Sequence, residues 1–256
     1  MRSWNDKDQK NKVAVVAGVR TPFAKAGTSL KDCSAVHLGT TVIREAYRKA
    51  ELNPNDVDEV VFGNAGTPSD AANISRVMAL RAGLPESMPA YTVHRNCASA
   101  MEAVAQGCLK IGNGMADTMI VGGTESMSQM PLIYAEPMKE LFSTLSFAKT
   151  TAEKVQKILD FRPAWLKPVV ALMQGLTDPI SGLNMGQTAE LLARDFKISR
   201  KEQDQFAVQS HLRAAKAQKE NKFSDEMMPI VLEPKFEKFL GQDVGPRENQ
   251  SLEQLA

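Results

Sequence analysis

The stretch Ala90-Tyr-Thr-Val-His-Arg-Asn-Cys-Ala-Ser-Ala-Met101 decides the fold of this chain. Its first four residues are small, aromatic or β-branched, and they predict a short strand at residues 90–93. A turn follows at residues 94–96, and a helix is predicted from about 97 to 111, where Gly112-Asn-Gly114 ends it. A strand that turns directly into a helix is typical of α/β proteins with parallel strands.

The same alternation extends on both sides of this stretch. Upstream, apolar runs predict buried strands at residues 13–17 and 59–62, and helices are predicted at 34–50 and 71–82. Downstream, a further strand is predicted at residues 118–121, before Gly122-Gly123. The alternation through about residue 124 therefore predicts an α/β fold, with helices on both faces of a mostly parallel, mixed sheet.

The pattern changes after residue 124. Residues 125–180 are Met-rich and basic and are predicted to be largely helical without a clear strand, and a helical stretch is predicted from 187 to about 221. A polar segment at residues 234–256 closes the chain. The predicted organisation is a core domain at 1–124, an inserted, largely helical domain at 125–245, and a return toward the core at 246–256.

Composition argues against several classes of protein. The 256 residues carry a net charge of +1, which gives no basic footprint for nucleic acid. Residues 1–12 lack the apolar core of a secretory signal, and no apolar run approaches the roughly 20 residues of a membrane span. Three cysteines without a CxxC pair fit a reducing compartment better than a disulfide framework or a metal site. The expected location is cytoplasmic in a bacterium, or mitochondrial in a eukaryote.

Cys97 stands where the predicted strand breaks into the helix. The N–H groups of the first helical turn and the helix dipole stabilise a thiolate at such a position. The same donors are suited to hold an oxyanion after the sulfur attacks a carbonyl. The small neighbours Ala98, Ser99 and Ala100 leave room for a substrate. Two interpretations follow from the residues alone: a reactive nucleophile, or a buried and inert cysteine.

The other thiols and the nearest histidine are weaker candidates. Cys108 lies about three turns along the same helix and is predicted to be structural and deep in packing. Nothing in the sequence around Cys33 suggests reactivity. His94 is close enough in sequence to pair with Cys97 as base and nucleophile. The alternative is a histidine at the end of a strand with backbone partners.

Five segments together resemble the thiolase family, and they occur in the family's order. They are Val16-Ala-Gly-Val-Arg-Thr-Pro-Phe23, Asn96-Cys-Ala-Ser-Ala-Met-Glu102, Ile120-Val-Gly-Gly-Thr-Glu-Ser-Met127, Met185-Gly-Gln-Thr-Ala-Glu190, and Ser199-Arg-Lys-Glu-Gln-Asp-Gln-Phe-Ala207 with Ser210-His211. The resemblance runs from about Val13 to Ala256. Ordered matches of this kind are more specific than any single motif.

The resemblance implies roles for three residues. In such thiolases the cysteine of the second segment takes the acyl group, so Cys97 is the expected catalytic residue, with its own N–H in the oxyanion hole. The fourth segment belongs to a loop domain that holds the pantetheine arm, and Met185 is expected to bind substrate there. A plain core methionine is the alternative. Asn184 is the second substrate-binding candidate, and it replaces a His common in biosynthetic thiolases, which weakens any inference to short acetoacetyl substrates.

The resemblance also implies an architecture. Thiolases pair two similar α/β halves in layers α-β-α-β-α, with the loop domain inserted in the first half. This chain is expected to hold the first half and the insertion. It is expected to be truncated, as an engineered piece or a split gene product, because the Gly-His-Pro, Cys-x-Gly and Asn-Glu-Ala-Phe motifs of the second half do not occur in it.

The implied function is that of an acetyl-CoA C-acyltransferase of fatty-acid β-oxidation, which cleaves 3-ketoacyl-CoA with CoA through a cysteine acyl-enzyme. Without the second half, the chain is expected to be inactive. No metal and no cofactor is implied, since coenzyme A is a substrate, and the full-length enzyme is expected to form a homodimer or a dimer of dimers. The alternatives are a non-catalytic, acyl-CoA-binding or scaffold subunit, and a ketoacyl synthase of related fold, against which the loop domain argues.

Residues 138–176 resemble the extended helical insertion of thiolase subunits from β-oxidation trifunctional complexes. Apolar residues recur at three- and four-residue intervals and predict one amphipathic helix: Leu141, Leu145, Ala148, Ala152, Val155 and Leu159. Basic residues flank it: Lys149, Lys154, Lys157, Arg162 and Lys167. The insertion is expected to contact a membrane surface or a hydratase/dehydrogenase partner subunit. The third alternative is that it only packs on the rest of the loop domain.

Overall fold

The computed structural model describes residues 13–255, so the charged start at residues 1–12, predicted to carry no secretory signal, lies outside the described residues. The described chain forms two compact units. The first combines the residues up to Gln129 with those from Ser199 onward, and the second is Met130–Ile198. The division at residues 124 and 245, which was predicted from the change in sequence pattern, stays a prediction. Among the described residues, no helix combines the length and the apolar character needed to cross a bilayer.

A three-stranded parallel sheet lies at the centre of the first unit. Its strands are β1 (Glu59–Gly63), β2 (Ala90–Val93) and β3 (Met119–Gly123), in the order β2-β1-β3. Both neighbouring pairs are parallel. The three strands predicted from the apolar runs at 59–62, 90–93 and 118–121 are therefore confirmed, within one or two residues at their ends.

Three helices connect and cover these strands. Helix α1 (Ala35–Lys49) begins at Ser34, whose Oγ accepts the backbone N–H of His37 at 3.1 Å. Helix α2 (Ile74–Ala82) ends at Gly83, which has φ 94° and so takes the left-handed conformation that glycine allows. Helix α3 (Ser99–Gly112) follows β2. All three predicted helices are confirmed, with α2 and α3 starting later than expected.

The helices lie on both faces of the sheet. Val60 and Phe62 of β1 pack with Ile43 of α1 and with Ile74 and Met78 of α2 in one buried cluster. On the other face, α3 approaches so closely that a Cβ added at Gly107 would lie 2.8 Å from the Val121 side chain. Since side chains alternate along a strand, the two faces are covered by different helices. This arrangement confirms the predicted α/β class.

The predicted buried strand at residues 13–17 is wrong. No strand forms there, and Val15 and Val16 are 89% and 77% exposed. A β-branched run becomes a strand only when a sheet edge pairs with it, and in the described part of the chain neither β2 nor β3 does so. The chain is instead fixed further on, by bridges between Arg20 and Met227 and between Ala24 and Val244.

The second unit contains two strands where none was predicted. Strands β4 (Leu132–Tyr134) and β5 (Pro168–Val170) pair antiparallel. Each has three residues, which is too short for an alternating pattern to identify it in the sequence. The expectation that residues 125–180 contain no strand is therefore wrong.

The single amphipathic helix predicted in the second unit is two helices. Helix α4 (Glu136–Phe147) ends at Ala148, and α5 (Thr151–Leu159) begins after Thr150. Thr150 and Glu153 form a capping box. The Thr150 side chain accepts the backbone N–H of Glu153, and the Glu153 side chain accepts the backbone N–H of Thr150. Local hydrogen bonding at residues 148–150 thus overrides the apolar period that runs through both helices.

The remaining α-helices and strands lie between Ala171 and Leu240. Helices α6 (Ala171–Gly175) and α7 (Met185–Asp195) complete the second unit, and α8 (Arg200–Lys219) belongs to the first. The continuous helical stretch predicted from 187 to 221 is divided, because Ser199 and Glu202 form a capping box that starts α8. Strands β6 (Ile230–Val231) and β7 (Phe239–Leu240) pair antiparallel after α8.

Candidate active site

The carboxyl ends of β1, β2 and β3 form one edge of the sheet, as the ends of parallel strands must. The register pairs Gly63 with Val93 on one side and with Gly123 on the other. The residues that come next along each strand are Asn64, His94 and Thr124. Three polar side chains therefore follow neighbouring strand ends at the place where α/β proteins commonly bind ligands.

Cys97 lies beside this edge, in the turn between β2 and α3, and it is exposed. Hydrogen bonds between residues of the turn itself fix its conformation. The Ser99 hydroxyl accepts the N–H of Arg95 at 2.8 Å and donates to the carbonyl of Asn96 at 2.7 Å. Since α3 begins at Ser99, Cys97 precedes the first helical turn by two residues instead of opening it as predicted. The sulfur is open to solvent on a turn that short hydrogen bonds fix.

Two glycines let α3 start directly on the sheet. A Cβ added at Gly63 would lie 2.2 Å from the carbonyl carbon of Ser99, and one at Gly123 would lie 2.6 Å from the Ala100 Cβ. Real Cβ atoms essentially never show such distances, so any side chain at Gly63 would force a backbone to move. The absence of side chains at these strand ends therefore sets the position of Cys97 relative to the sheet.

A carboxylate organises the loop that follows β1. Glu125 Oε2 accepts the backbone N–H groups of Ala65 at 2.9 Å and Gly66 at 3.1 Å, and its Oε1 accepts Asn64 Nδ2 at 3.2 Å. Asn64 is buried and also donates to the Thr124 carbonyl at 2.8 Å. Its Oδ1 has no hydrogen-bond partner among the described residues, which is uncommon for a buried acceptor.

Sequence reasoning missed this polar cluster. Glu125 belongs to one of the five matching segments and Asn64 stands two residues after a predicted strand, but no role was predicted for either. The available signal was their position, since both follow predicted parallel strands whose carboxyl ends must meet. Their mutual contacts depend on the sheet order β2-β1-β3, which the sequence does not display.

His94 does not act on the Cys97 sulfur in this arrangement. Its Nε2 lies 3.2 Å from the carbonyl of Ala65, and its Nδ1 accepts the N–H of Asn96 at 3.3 Å. Both ring nitrogens therefore have backbone partners, and the proton belongs on Nε2 because Nδ1 accepts. The structure favours the strand-end histidine with backbone partners over the base–nucleophile dyad.

The other two cysteines differ sharply from each other. Cys33 is buried, and burial raises the pKa of its thiol. Cys108 is exposed, so the prediction that it lies deep in packing is wrong. The reason is the stripe by which α3 contacts the sheet, which consists of the small residues Ser99, Ala103 and Gly107 at four-residue spacing. Cys108 lies one position beyond that stripe and faces outward.

The two predicted substrate-binding residues lie in the second unit, whereas Cys97 lies in the first. Asn184 caps α7, since its Oδ1 accepts the N–H of Gln187 at 2.9 Å while Gln187 Oε1 accepts the N–H of Asn184 at 2.9 Å. Met185 is the first residue of that helix and is 53% exposed, which argues against a plain core methionine. Their contact with substrate stays a prediction. Within residues 13–255, no group of three or more His, Cys, Asp or Glu side chains is placed to hold a metal ion.

Known proteins match nearly all of this chain. The "3-ketoacyl-CoA thiolase" of Shewanella halifaxensis is 33% identical over 245 residues, which are 96% of this chain and 55% of that protein. The protein of the same name from Vibrio cholerae is 35% identical over 245 residues, again 96% of this chain and 55% of its own length. The "probable acetyl-CoA acyltransferase" of Staphylococcus aureus is 34% identical over 247 residues, or 96% of this chain and 58% of its own.

A solved structure shows the same fold. The crystal structure of the Bacillus anthracis acetyl-CoA acetyltransferase matches with a TM-score of 0.80 and 30% identity, over 94% of this chain and 56% of that one. This chain thus spans a little over half the length of the relatives that it matches. A family model described as "Thiolase, N-terminal domain" matches residues 13–256. The chain therefore belongs to the thiolase family, and its α/β fold is the thiolase-like fold expected from the sequence.

Proposed function

We propose that this protein serves in acyl transfer on 3-ketoacyl-CoA thioesters, with Cys97 as the nucleophile. The observation that carries the proposal is the exposed Cys97 on a hydrogen-bonded turn at the carboxyl edge of the sheet. The names of the relatives, 3-ketoacyl-CoA thiolase and acetyl-CoA acyltransferase, support the same reaction class. The first name favours the degradative direction and so a place in fatty-acid β-oxidation. These relatives are bacterial, and none favours the mitochondrial alternative.

The proposed reaction has two steps. The Cys97 thiolate attacks the 3-keto carbon, and the bond between C2 and C3 then breaks. The electron pair leaves on C2, which takes up a proton to give acetyl-CoA, while the shortened acyl group stays on the sulfur. The thiol of a second CoA then gives up its proton to a base, attacks the acyl-enzyme, carries off the acyl group and releases the Cys97 thiolate. Two steps of moderate difficulty thus replace one difficult carbon–carbon cleavage.

Protonating C2 requires an acid, and the turn around Cys97 does not offer a free one. The nearest histidine in the sequence, His94, has a backbone partner at each ring nitrogen. We therefore propose that the acid/base groups come from the second α/β half implied by the resemblance. Proton transfer by a positioned residue contributes about 10²–10⁴-fold to rate, so the chain alone is expected to show activity at or near background.

The outward face of α3 is suited to receive such a half. Beside Cys97 it presents the exposed residues Met101, Val104, Cys108 and Leu109. An apolar stripe of this kind is usually covered by another element. We propose that the second half covers it, which would place its acid/base groups on the open side of the sulfur.

A thiolysis assay tests the proposal. Loss of the ketoacyl-CoA enolate absorbance is followed for residues 1–256 with and without a separately produced second half. We expect turnover only for the combination, and we expect Cys97→Ala to abolish it. Robust turnover by the chain alone would show that a local group such as His94 acts as the base. A combination that binds acyl-CoA without turnover would instead favour the non-catalytic scaffold.

We propose a separate role in association for the insertion at residues 138–176. Helix α5 buries none of its residues, and Leu159 is 79% exposed. Lys154 and Lys157 lie on the same short helix, and Lys149 and Arg162 flank it. An exposed apolar side with basic residues along it suits an anionic lipid surface. A hydratase/dehydrogenase partner subunit is the alternative occupant.

A further inference from the structure

A continuous set of hydrogen bonds joins the end of β3 to the residue before Cys97. It begins at Glu125, two residues beyond β3, whose Oε2 holds the N–H groups of Ala65 and Gly66 at 2.9 and 3.1 Å. The carbonyl of the same Ala65 faces His94 Nε2 at 3.2 Å. The other ring nitrogen of His94 accepts the N–H of Asn96 at 3.3 Å. The Ala65 carbonyl belongs to the same peptide group as the Gly66 N–H that Glu125 holds, and the two nitrogens of His94 belong to one rigid ring.

The last link ends on a residue in the left-handed backbone conformation. Asn96 has φ 48°, in the left-handed region that few residues other than glycine and asparagine tolerate. A backbone conformation of this kind persists only where its surroundings hold it. The N–H of Asn96 is held by His94, and its carbonyl by the Ser99 hydroxyl at 2.7 Å. Cys97 is the next residue, so the conformation of Asn96 sets the direction in which the sulfur leaves the turn.

The contacts of Glu125 serve the loop and contribute little to the core. Glu125 and His94 are both exposed, whereas Asn64 between them is buried. An exposed carboxylate that accepts three N–H donors has positioning as its main effect. Replacing it leaves no cavity, so the fold should survive the loss.

We propose that Glu125 is a positioning residue for the nucleophile, acting through the Ala65 carbonyl and His94 to hold Asn96 in the conformation that presents Cys97. The role of His94 is then to transmit this restraint and not to take a proton. This inference rests on the proposed function, in which Cys97 is the reactive thiol.

The chain carries its own controls for a test. Iodoacetamide labelling followed by peptide mapping reports the rate at each of the three thiols. Cys108 is exposed on the same helix but outside the hydrogen-bonded set, so it reports changes that are not specific to the turn. Cys33 is buried, so its labelling reports unfolding.

The sign of the effect separates positioning from charge. Removing a carboxylate near a thiolate should, on electrostatic grounds alone, speed alkylation. Loss of positioning should slow it, and we expect Glu125→Ala, which removes both acceptor oxygens, to lower the rate at Cys97 by about 5- to 10-fold, the effect of one lost hydrogen bond. The rates at Cys108 and Cys33 should not change. Glu86→Ala, which removes an exposed carboxylate from the turn before β2, should change none of the three rates.

A double variant tests the route. His94→Ala should slow alkylation of Cys97 by a similar factor, and the combination with Glu125→Ala should add little, since both break one chain of contacts. If Glu125→Ala unfolds the protein, Cys33 becomes reactive and His94→Ala alone decides. An unchanged or faster Cys97 in a folded variant would overturn the inference, as would losses that multiply in the double variant. Failure of the proposed function looks different: Cys97 would not be the fastest thiol in the unmodified chain.

Discussion

Arg20 and Asp243, 223 residues apart in the chain, form a two-point ion pair, with Nη1 2.8 Å from Oδ1 and Nη2 3.0 Å from Oδ2. Arg20 Nε also donates to Glu226 at 2.7 Å, and the guanidinium lies 5.1 and 4.9 Å from the ring centroids of Phe23 and Phe223. The side chains of the pair are only 20% and 11% exposed. The pair ties the segment before α1 to the residues after α8.

Asp243→Asn should destabilise the first unit. The substitution leaves Arg20 without one partner in a partly buried site, and the expected cost is about 2–4 kcal/mol. Urea unfolding followed by circular dichroism measures it. Glu220→Gln, which breaks an exposed ion pair with Lys216 on α8, is the control and should cost less than about 0.5 kcal/mol. Equal losses of stability in the two variants would show that the Arg20–Asp243 pair stabilises the fold no more than an exposed ion pair does.

The contribution of Asp243 should depend on pH in a defined direction. Burial alone would raise the pKa of this carboxyl, but hydrogen bonds from Arg20 and the N–H of Phe23 outweigh burial and lower it. A carboxyl with a lower pKa in the folded state stabilises above its unfolded pKa of about 3.9, and this stability is lost as pH falls through the folded value. The difference in the free energy of unfolding between wild type and Asp243→Asn should therefore be constant from pH 7 to 5 and shrink below about pH 4. A difference that stays constant down to pH 3 would contradict this assignment.

Gly63→Ala should be among the most damaging single substitutions in the core. The added Cβ would meet the Ser99 backbone at 2.2 Å, so the start of α3 must move away from β1. We expect a loss of about 3 kcal/mol or more, together with slower alkylation of Cys97. Gly112→Ala is the matched control, since it lies at the end of α3 with nothing within 4 Å of the new Cβ. It should be neutral or stabilise by up to about 1 kcal/mol, and a similar loss at both sites would rule out the packing explanation.

Cys97 should be the fastest of the three thiols toward iodoacetamide at neutral pH. Both Cys97 and Cys108 are exposed, but of these two only Cys97 precedes the N-terminus of a helix and is followed by small residues. Cys33 should be the slowest, because it is buried and burial raises its pKa. Peptide mapping after brief labelling gives the order. A faster reaction at Cys108 would remove the case for Cys97 as nucleophile.

The insertion at residues 138–176 should bind anionic vesicles but not neutral ones. The Lys154→Gln/Lys157→Gln double variant should weaken binding to phosphatidylglycerol-containing vesicles by about 10- to 30-fold, since each lysine near such a surface contributes about 1 kcal/mol. Lys216→Gln, on α8 of the first unit, should have no comparable effect. Co-sedimentation measures all three proteins. If the wild-type protein does not bind the vesicles but binds a purified hydratase/dehydrogenase subunit, the partner-subunit alternative is supported instead.

The sequence predicted the core because its signals there are local. The apolar runs of β1, β2 and β3 are each bounded by turn or glycine residues, and the cap Ser34 stands directly before α1. The same kind of local signal existed at the break between α4 and α5. The pattern Thr150-x-x-Glu153 is a capping box that could have identified the start of α5.

The wrong or missing predictions concern contacts between segments that are distant in the sequence. Residues 13–17 have the composition of a strand, but pairing depends on a neighbour that composition does not specify. The exposure of Cys108 depends on which stripe of α3 contacts the sheet, and that stripe is marked by small residues, not large apolar ones. Glu125 and Ala65 are 60 residues apart, so their contact exists only once β1 and β3 are aligned.

The glycines at the ends of β1 and β3 also determine where a substrate can come from. With the backbone of Ser99 resting on Gly63, and Ala100 on Gly123, no space for an acyl chain remains between helix and sheet. If Cys97 is the nucleophile as proposed, a thioester reaches it from the outward side. Chain-length preference would then depend on the residues that line this outer approach. Substitutions meant to change it belong in the surrounding loops, and the sheet beneath the sulfur can be left as it is.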